Sequence, residues 1–179
     1  PGVTNASIGV HTAMQDSSPM ILFVGQVGTD MKDREAFQEI DYRAVYGTMA
    51  KWAVEIDDIS RLTEVLARAW TTALTGRPGP VVVALPEDML TNVTDIAPLS
   101  APASIFEAGP DGDAMAQVQE LFSLASKPLI LIGGTNWTDA GRSALQGFAE
   151  ASDIPVVAAF RYQDQFDNHS QVFVGEAGV

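Results

Sequence analysis

Thr75-Gly76-Arg77-Pro78-Gly79-Pro80-Val81-Val82-Val83-Ala84-Leu85-Pro86-Glu87-Asp88-Met89 is the stretch on which the fold turns. Its first six residues stop a helix and redirect the backbone. Val81 to Leu85 then run without polar interruption. A strand apolar on both faces is covered on both faces, the habit of parallel sheets in α/β proteins. Pro86-Glu87-Asp88 closes the strand at its carboxyl end, the edge where open α/β sheets collect ligands. Periodicity by itself makes this a buried strand and nothing more.

Upstream of it, Ile59, Leu62, Val65, Leu66, Ala69, Trp70, Ala73 and Leu74 advance by threes and fours, an amphipathic helix. Asp57 or Asp58 caps its start, and Gly76 stands where a left-handed C-terminal cap belongs, with Pro78 beyond. Lys51 to Ile56 reads as a strand. Arg34 to Asp41 is expected to hold a helical turn, and Tyr42 to Ala50 suits helix or loop. Met20 to Val24 reads as a strand ended by Gly25-Gln26. Residues 6–15 are small or apolar on most sides, as in a buried helix, with Thr4 as N-cap and Asp16-Ser17-Ser18-Pro19 as its stop.

Downstream, Pro98, Pro102 and Pro110 among Ser, Ala and Gly mark residues 91–111 as a linker between 1–90 and 112–179. The same grammar then restarts. Met115, Val118, Leu121, Phe122 and Ala125 make an amphipathic helix, with Asp113 as N-cap. Pro128 to Ile132 makes a strand closed by Gly133-Gly134. Thr138 caps a helix carrying Ala144, Leu145, Phe148 and Ala151, and Pro155 to Ala159 is the next strand. The expected class is α/β: parallel, Rossmann-like sheets with helices on both faces, in two partial domains.

Ten Lys and Arg against 23 Asp and Glu give a formal charge of −13, which opposes binding to a phosphate backbone and argues against a nucleic-acid partner. With no cysteine in the 179 residues, disulfides and thiolate metal sites are excluded. No apolar run reaches membrane-spanning length, so a cytoplasmic protein without a membrane partner is the expectation. His11 and His169 lie far apart and in no ligand-like spacing.

Three ordered stretches carry a resemblance. They are Pro1-Gly2-Val3-Thr4-Asn5 continuing to Asp16-Ser17-Ser18-Pro19, Gly25-Gln26-Val27 followed by Ala36-Phe37-Gln38-Glu39-Ile40-Asp41, and Thr75 to Pro86. Their order and spacing resemble the thiamine-diphosphate-dependent enzymes of the acetolactate synthase type, densely over residues 1–90 and more loosely from about 112 onward. The resemblance implies the second half of a pyrimidine-binding domain followed by the start of a central domain. It also implies decarboxylation of a 2-keto acid with transfer of the resulting carbanion, thiamine diphosphate with Mg²⁺ as cofactor, and a homodimer or homotetramer.

Several positions match the family residue by residue. Pro1, Gly2 and Asn5 match its turn lining the aminopyrimidine; by themselves they read as a plain helix start. Phe37 and Gln38 match the pair facing the reaction site, where an amide can hydrogen-bond a carbonyl or a developing alkoxide, which makes Gln38 the catalytic candidate. Without the family they are one aromatic beside one amide. Lys51 matches a lysine of the substrate channel and otherwise reads as a solvated strand-edge cation. Gly133 and Gly134 follow a strand and could admit the phosphate of FAD or an adenine nucleotide. No third glycine follows in place, so a helix-entry turn is the plainer reading. Gly112-Asp113-Ala114 with Asn136 superficially mimics the family's metal motif; the aspartate opens a helix, and no metal site is expected.

The chain opens on a turn with no strand before it and stops shortly into its second domain, and so reads as a piece of a longer polypeptide. The family's activating glutamate is expected before Pro1 and its Mg²⁺–diphosphate domain after Val179, leaving this segment inactive by itself. Two other readings stay open, a nucleotide-binding oxidoreductase domain and a non-catalytic α/β scaffold or subunit-interface module.

Overall fold

Val81, Val82, Val83 and Ala84 have no exposed surface at all, and their side chains divide between two cores. Val82 and Ala84 join Val10, Val24, Tyr42, Tyr46 and Ala50 on one face, while Val81 and Val83 join Ile56, Val65, Ala69 and Ala73 on the other. Alternation along a strand sends successive side chains to opposite faces, so an unbroken apolar run requires both to be covered. The computed structural model describes residues 1–106 and 108–178. Glu107, inside the expected linker, and Val179, at the end of the expected central-domain segment, lie outside the described residues.

The chain divides into two units, 1–107 and 108–179. The first unit contains helices α1 (Gly2–Asn5) and α2 (Ser7–Asp16), strand β1 (Met20–Gln26), α3 (Tyr42–Tyr46), β2 (Trp52–Glu55), α4 (Leu62–Leu74), β3 (Pro80–Pro86) and α5 (Glu87–Thr91). Strand β3 is central: the order is β1-β3-β2, all parallel, with Leu22 and Ala53 both in register with Val82. On the outer edge strand β2, the Arg68 guanidinium lies 4.4 Å from the Trp52 ring centre.

The second unit contains α6 (Gly112–Leu124), β4 (Ile130–Ile132), α7 (Asp139–Ala151), β5 (Val156–Ala159) and β6 (Phe173–Ala177). Its sheet is also parallel, in the order β4-β5-β6. Ile132, Ala149, Val156, Ala158, Phe166 and Val172 form its core. Helix α6 buries no residue, and its contact with α7 is an edge-on pair of Phe122 and Phe148 at 5.6 Å.

Local corrections have local causes. Thr4 does not cap: its hydroxyl donates to Pro1 O inside a helix that already begins at Gly2. The helix over residues 7–16 is not buried all round; Val10 and Ala13 are covered, while Ile8 is 78% exposed. Asp111, not Asp113, caps α6, because Asp111 keeps the extended backbone a cap needs and accepts from Ala114 N. The helical turn expected over 34–41 is absent. Asp33, Glu35 and Gln38 take left-handed backbone there, and the Glu39 carboxylate takes the amides of Asp33 and Ala36 that a helix would have used. The expected cap Thr138 and the left-handed Gly76 (φ +63°) are present, while Asp58 caps a 3₁₀ turn, Ile59–Arg61, that leads into α4, which has no side-chain cap of its own.

Candidate functional site

Parallel strands deliver their carboxyl ends to one edge, and at the edge of the first sheet lies a cleft of about 570 Å³. Pro1, Gly2 and Val3 form one wall, Gly25, Gln26 and Val27 the strand end, and Phe37, Gln38 and Tyr42 a second wall. Leu85, Glu87 and Leu90, from the end of β3 and from α5, complete it. A β-carbon at Gly2 or at Gly25 would meet no atom within 4 Å, so both glycines border open space.

The wall bearing Phe37 and Gln38 is held from behind. Glu39 accepts from Asp33 N at 2.6 Å and Ala36 N at 3.0 Å, and these two bonds hold its carboxyl below the ordinary range. Phe37 is 90% exposed, and the Gln38 amide has no hydrogen-bond partner among the described residues. Gln38 also takes φ +71°, a conformation costing about 1 kcal/mol or more for a residue with a side chain. Strain of that kind persists only where the surroundings impose it.

Gln26 ties the strand end to its neighbours, its amide nitrogen donating to Ile40 O at 2.7 Å and Glu55 Oε2 at 3.2 Å. Glu55 also pairs with Lys32 at 2.8 Å, and this bond raises the Lys32 pKa. The loop after β1 is fastened to α5: Asp88 accepts from Thr29 N and from Thr29 Oγ1, and both bonds lower its pKa. Burial, followed by the neighbouring Tyr46, raises the pKa of Tyr42, which stays a neutral hydrogen-bond donor.

The structure thus brings Pro1, Gly2, Phe37 and Gln38 to one cleft. Asn5, the last residue of α1, is exposed and does not line it. Lys51 stands at the other end of the strands, where its amide bonds Pro80 O. Its Nζ donates to Thr75 O at 2.7 Å, its stem lies against Gly79, and burial lowers its pKa. Gln26 and Tyr42 went unnoticed as lining residues in the sequence. A tyrosine pair four apart after an Asp cap was the available signal.

In the second unit, Gly133 sits where a β-carbon would come within 3.3 Å of the Ala159 side chain, and Gly134 has φ +78°. Trp137 Nε1 donates to Gly133 O. Packing and backbone angle therefore account for both glycines. Among the described residues, no group of three or more His, Cys, Asp or Glu could hold a metal ion, and no helix is long and apolar enough to cross a membrane.

Residues 1–45 match the family model of the thiamine pyrophosphate enzyme, N-terminal TPP binding domain, and residues 115–179 match that of the thiamine pyrophosphate enzyme, central domain. The chain belongs to the thiamine pyrophosphate enzymes. Among its relatives is acetolactate synthase isozyme 3 large subunit of Escherichia coli K12, 34% identical over all of this chain and 32% of the relative. The acetolactate synthase large subunit of Parasynechococcus marenigrum is 30% identical over all of this chain and 30% of its own length. The mitochondrial acetolactate synthase catalytic subunit of Aspergillus candidus is 32% identical over 93% of the chain and 26% of its own. The chain spans about a third or less of the length of these relatives.

Proposed function

We propose that this chain contributes the aminopyrimidine-facing wall of a thiamine-diphosphate enzyme that decarboxylates a 2-keto acid and joins the resulting two-electron nucleophile to a second carbonyl. In this reading residues 1–90 are the second half of the pyrimidine-binding domain, 91–111 the linker and 112–179 the start of the central domain. The observation that carries it is the meeting of Pro1, Gly2, Phe37 and Gln38 on one cleft at the carboxyl ends of parallel strands. Mg²⁺ and a homodimer or homotetramer belong to the same proposal, supported by the family alone.

The cleft suits the group. A planar nitrogen heterocycle needs apolar faces and close backbone, and Val3, Val27, Tyr42 and Leu85 beside Gly2 and Gly25 offer both. When bound, the cofactor supplies a stabilised carbanion equivalent for attack on carbonyl carbon. The Pro1–Val3 turn and Gly25 would flank the ring. Phe37 covers the reacting side and sheds water from it. The Gln38 amide donates to the substrate carbonyl and keeps that bond as negative charge gathers on the oxygen, a gain larger in the transition state than before it.

The test uses the full-length polypeptide. Calorimetric titration with thiamine diphosphate and Mg²⁺ is expected to show binding that Gly25→Val abolishes, because the added side chain enters the cleft and not the protein interior. Wild-type affinity in that variant, with its melting temperature unchanged, rejects the assignment.

A further inference from the structure

Helix α3 carries two tyrosines one turn apart, and both reach out of the helix to carbonyls that border the cleft. Tyr46 is fully buried and its hydroxyl donates to Val3 O at 2.6 Å. The Tyr46 hydroxyl oxygen itself accepts a longer bond from Ser7 Oγ at 3.3 Å. Tyr42, only 6% exposed, donates to Gly25 O at 3.0 Å. Val3 and Gly25 lie on different walls of the cleft. The two rings stack with centres 6.4 Å apart, inside the core that holds Val10, Val24, Val82 and Ala84.

Neither hydroxyl can drift. A phenol hangs on two torsions, and close packing fixes both, so each oxygen sits at a set distance from the α3 backbone. Besides that bond, Val3 O takes the Ala6 amide at 3.0 Å, Thr4 Oγ1 donates to Pro1 O, and Val3 packs at the margin of the core, so the Tyr46 hydroxyl is the contact that ties this turn to a separate element by a hydrogen bond. Helix α1 is four residues long, buries none of them and has no side-chain cap. A single turn of helix does not stabilise itself.

We propose that Tyr46 is a positioning residue: through Val3 O it sets the Pro1–Val3 turn, while Tyr42 sets the end of β1, and together they fix the width of the slot for a planar nitrogen heterocycle. This rests on the reading of the cleft as the aminopyrimidine site. Tyr46 itself touches no ligand there; it acts through the turn.

The experiment compares Tyr46→Phe, Tyr42→Phe and Ser7→Ala in the full-length polypeptide. Phenylalanine keeps the ring and its packing, and Ser7→Ala removes the other bond to the Tyr46 oxygen without touching the cleft lining. Deuterium exchange over residues 2–6 and the dissociation constant for thiamine diphosphate with Mg²⁺ are read together. Tyr46→Phe is expected to speed exchange in that segment and to weaken cofactor binding by about tenfold, with the KM for the keto acid at saturating cofactor unchanged. Ser7→Ala is expected to leave the affinity as it was. A Tyr46→Phe protein that melts earlier yet binds like the wild type overturns the proposal, as does an equal loss in Ser7→Ala. A wild type that binds no thiamine diphosphate removes the underlying reading of the cleft itself, which the variants do not probe, and the slot proposal falls with it.

Discussion

The two ends of the first sheet are held by opposite charges. At the amino end, cations hold helix ends: Arg77 donates to the carbonyls of Met14 and Gln15 and to the Ser17 hydroxyl where α2 finishes, and Lys51 donates to Thr75 O after α4. At the carboxyl end, carboxylates hold amides: Glu39 takes Asp33 and Ala36, Asp41 takes Ala44 and Asp88 takes Thr29. Direction accounts for the Arg77, Lys51 and Asp41 contacts, while Glu39 takes amides of a loop. In a parallel sheet with helical crossovers, helices end where strands begin and start where strands end, so bare C=O groups gather at one edge and bare N–H groups at the other. The amino end closes on itself. The carboxyl end remains open, with its strained Gln38 turned toward a cleft.

The largest effect should erase the difference altogether. Val82→Asp puts a charge into the strand shared by both ends and is expected to cost about 4 kcal/mol or more, read as loss of cooperative unfolding in urea. Arg77→Ala should strike only the closed end, lowering stability by about 2 kcal/mol while thiamine diphosphate affinity holds. Gln38→Gly should do the reverse. It releases a left-handed backbone and so is expected to raise stability by about 0.5–1 kcal/mol, while turnover of a 2-keto acid falls by about a hundredfold. Stability loss in that variant would show that Gln38 belongs to the scaffold and not to the open edge.

Acid separates the two ends by the smallest step. Glu39 and Asp88 both titrate below their ordinary values because they accept backbone amides. Their support is therefore complete above the ordinary carboxylate range and is lost as pH falls through the lowered values. Lys32, Asp33, Asp41, Arg43 and Glu55 line the same pocket as Glu39. Protection of the amides in residues 29–39, corrected for their intrinsic exchange, is expected to fall as pH drops below the ordinary carboxylate range before protection near Arg77 changes, and Glu39→Gln should already show it at neutral pH.

The same contrast governs what was legible in the sequence. The closed end announces itself through Gly76, Pro78 and Pro80, residues whose backbone preferences work locally, and the run Val81–Leu85 has one sensible home. Helix α4 is legible because its stripe is long. The open end resists: Arg34-Glu35-Ala36-Phe37-Gln38-Glu39 has good helical propensity, which the Glu39 carboxylate and the left-handed residues override. Which strands flank β3, the last strand of its sheet in chain order, has no local signature. Strand β6 was hidden by Gly175 and Glu176, which interrupt its pattern. Of the site candidates, Lys51 shows the cost of reading residues singly: a cation on a strand flank does not disclose which end of the sheet it serves.

That strand order also sets a timetable for biosynthesis. Strands β1 and β2 do not pair with each other; each pairs with β3, which is made last. While the ribosome adds the sixty residues from Val27 to Pro86, Met20–Gln26 waits for the strand it pairs with here. Non-local pairing of this kind is slow and leaves edges open to other chains. The unbroken valines of β3 are thus also the residues whose late arrival lets β1 and β2 join one sheet.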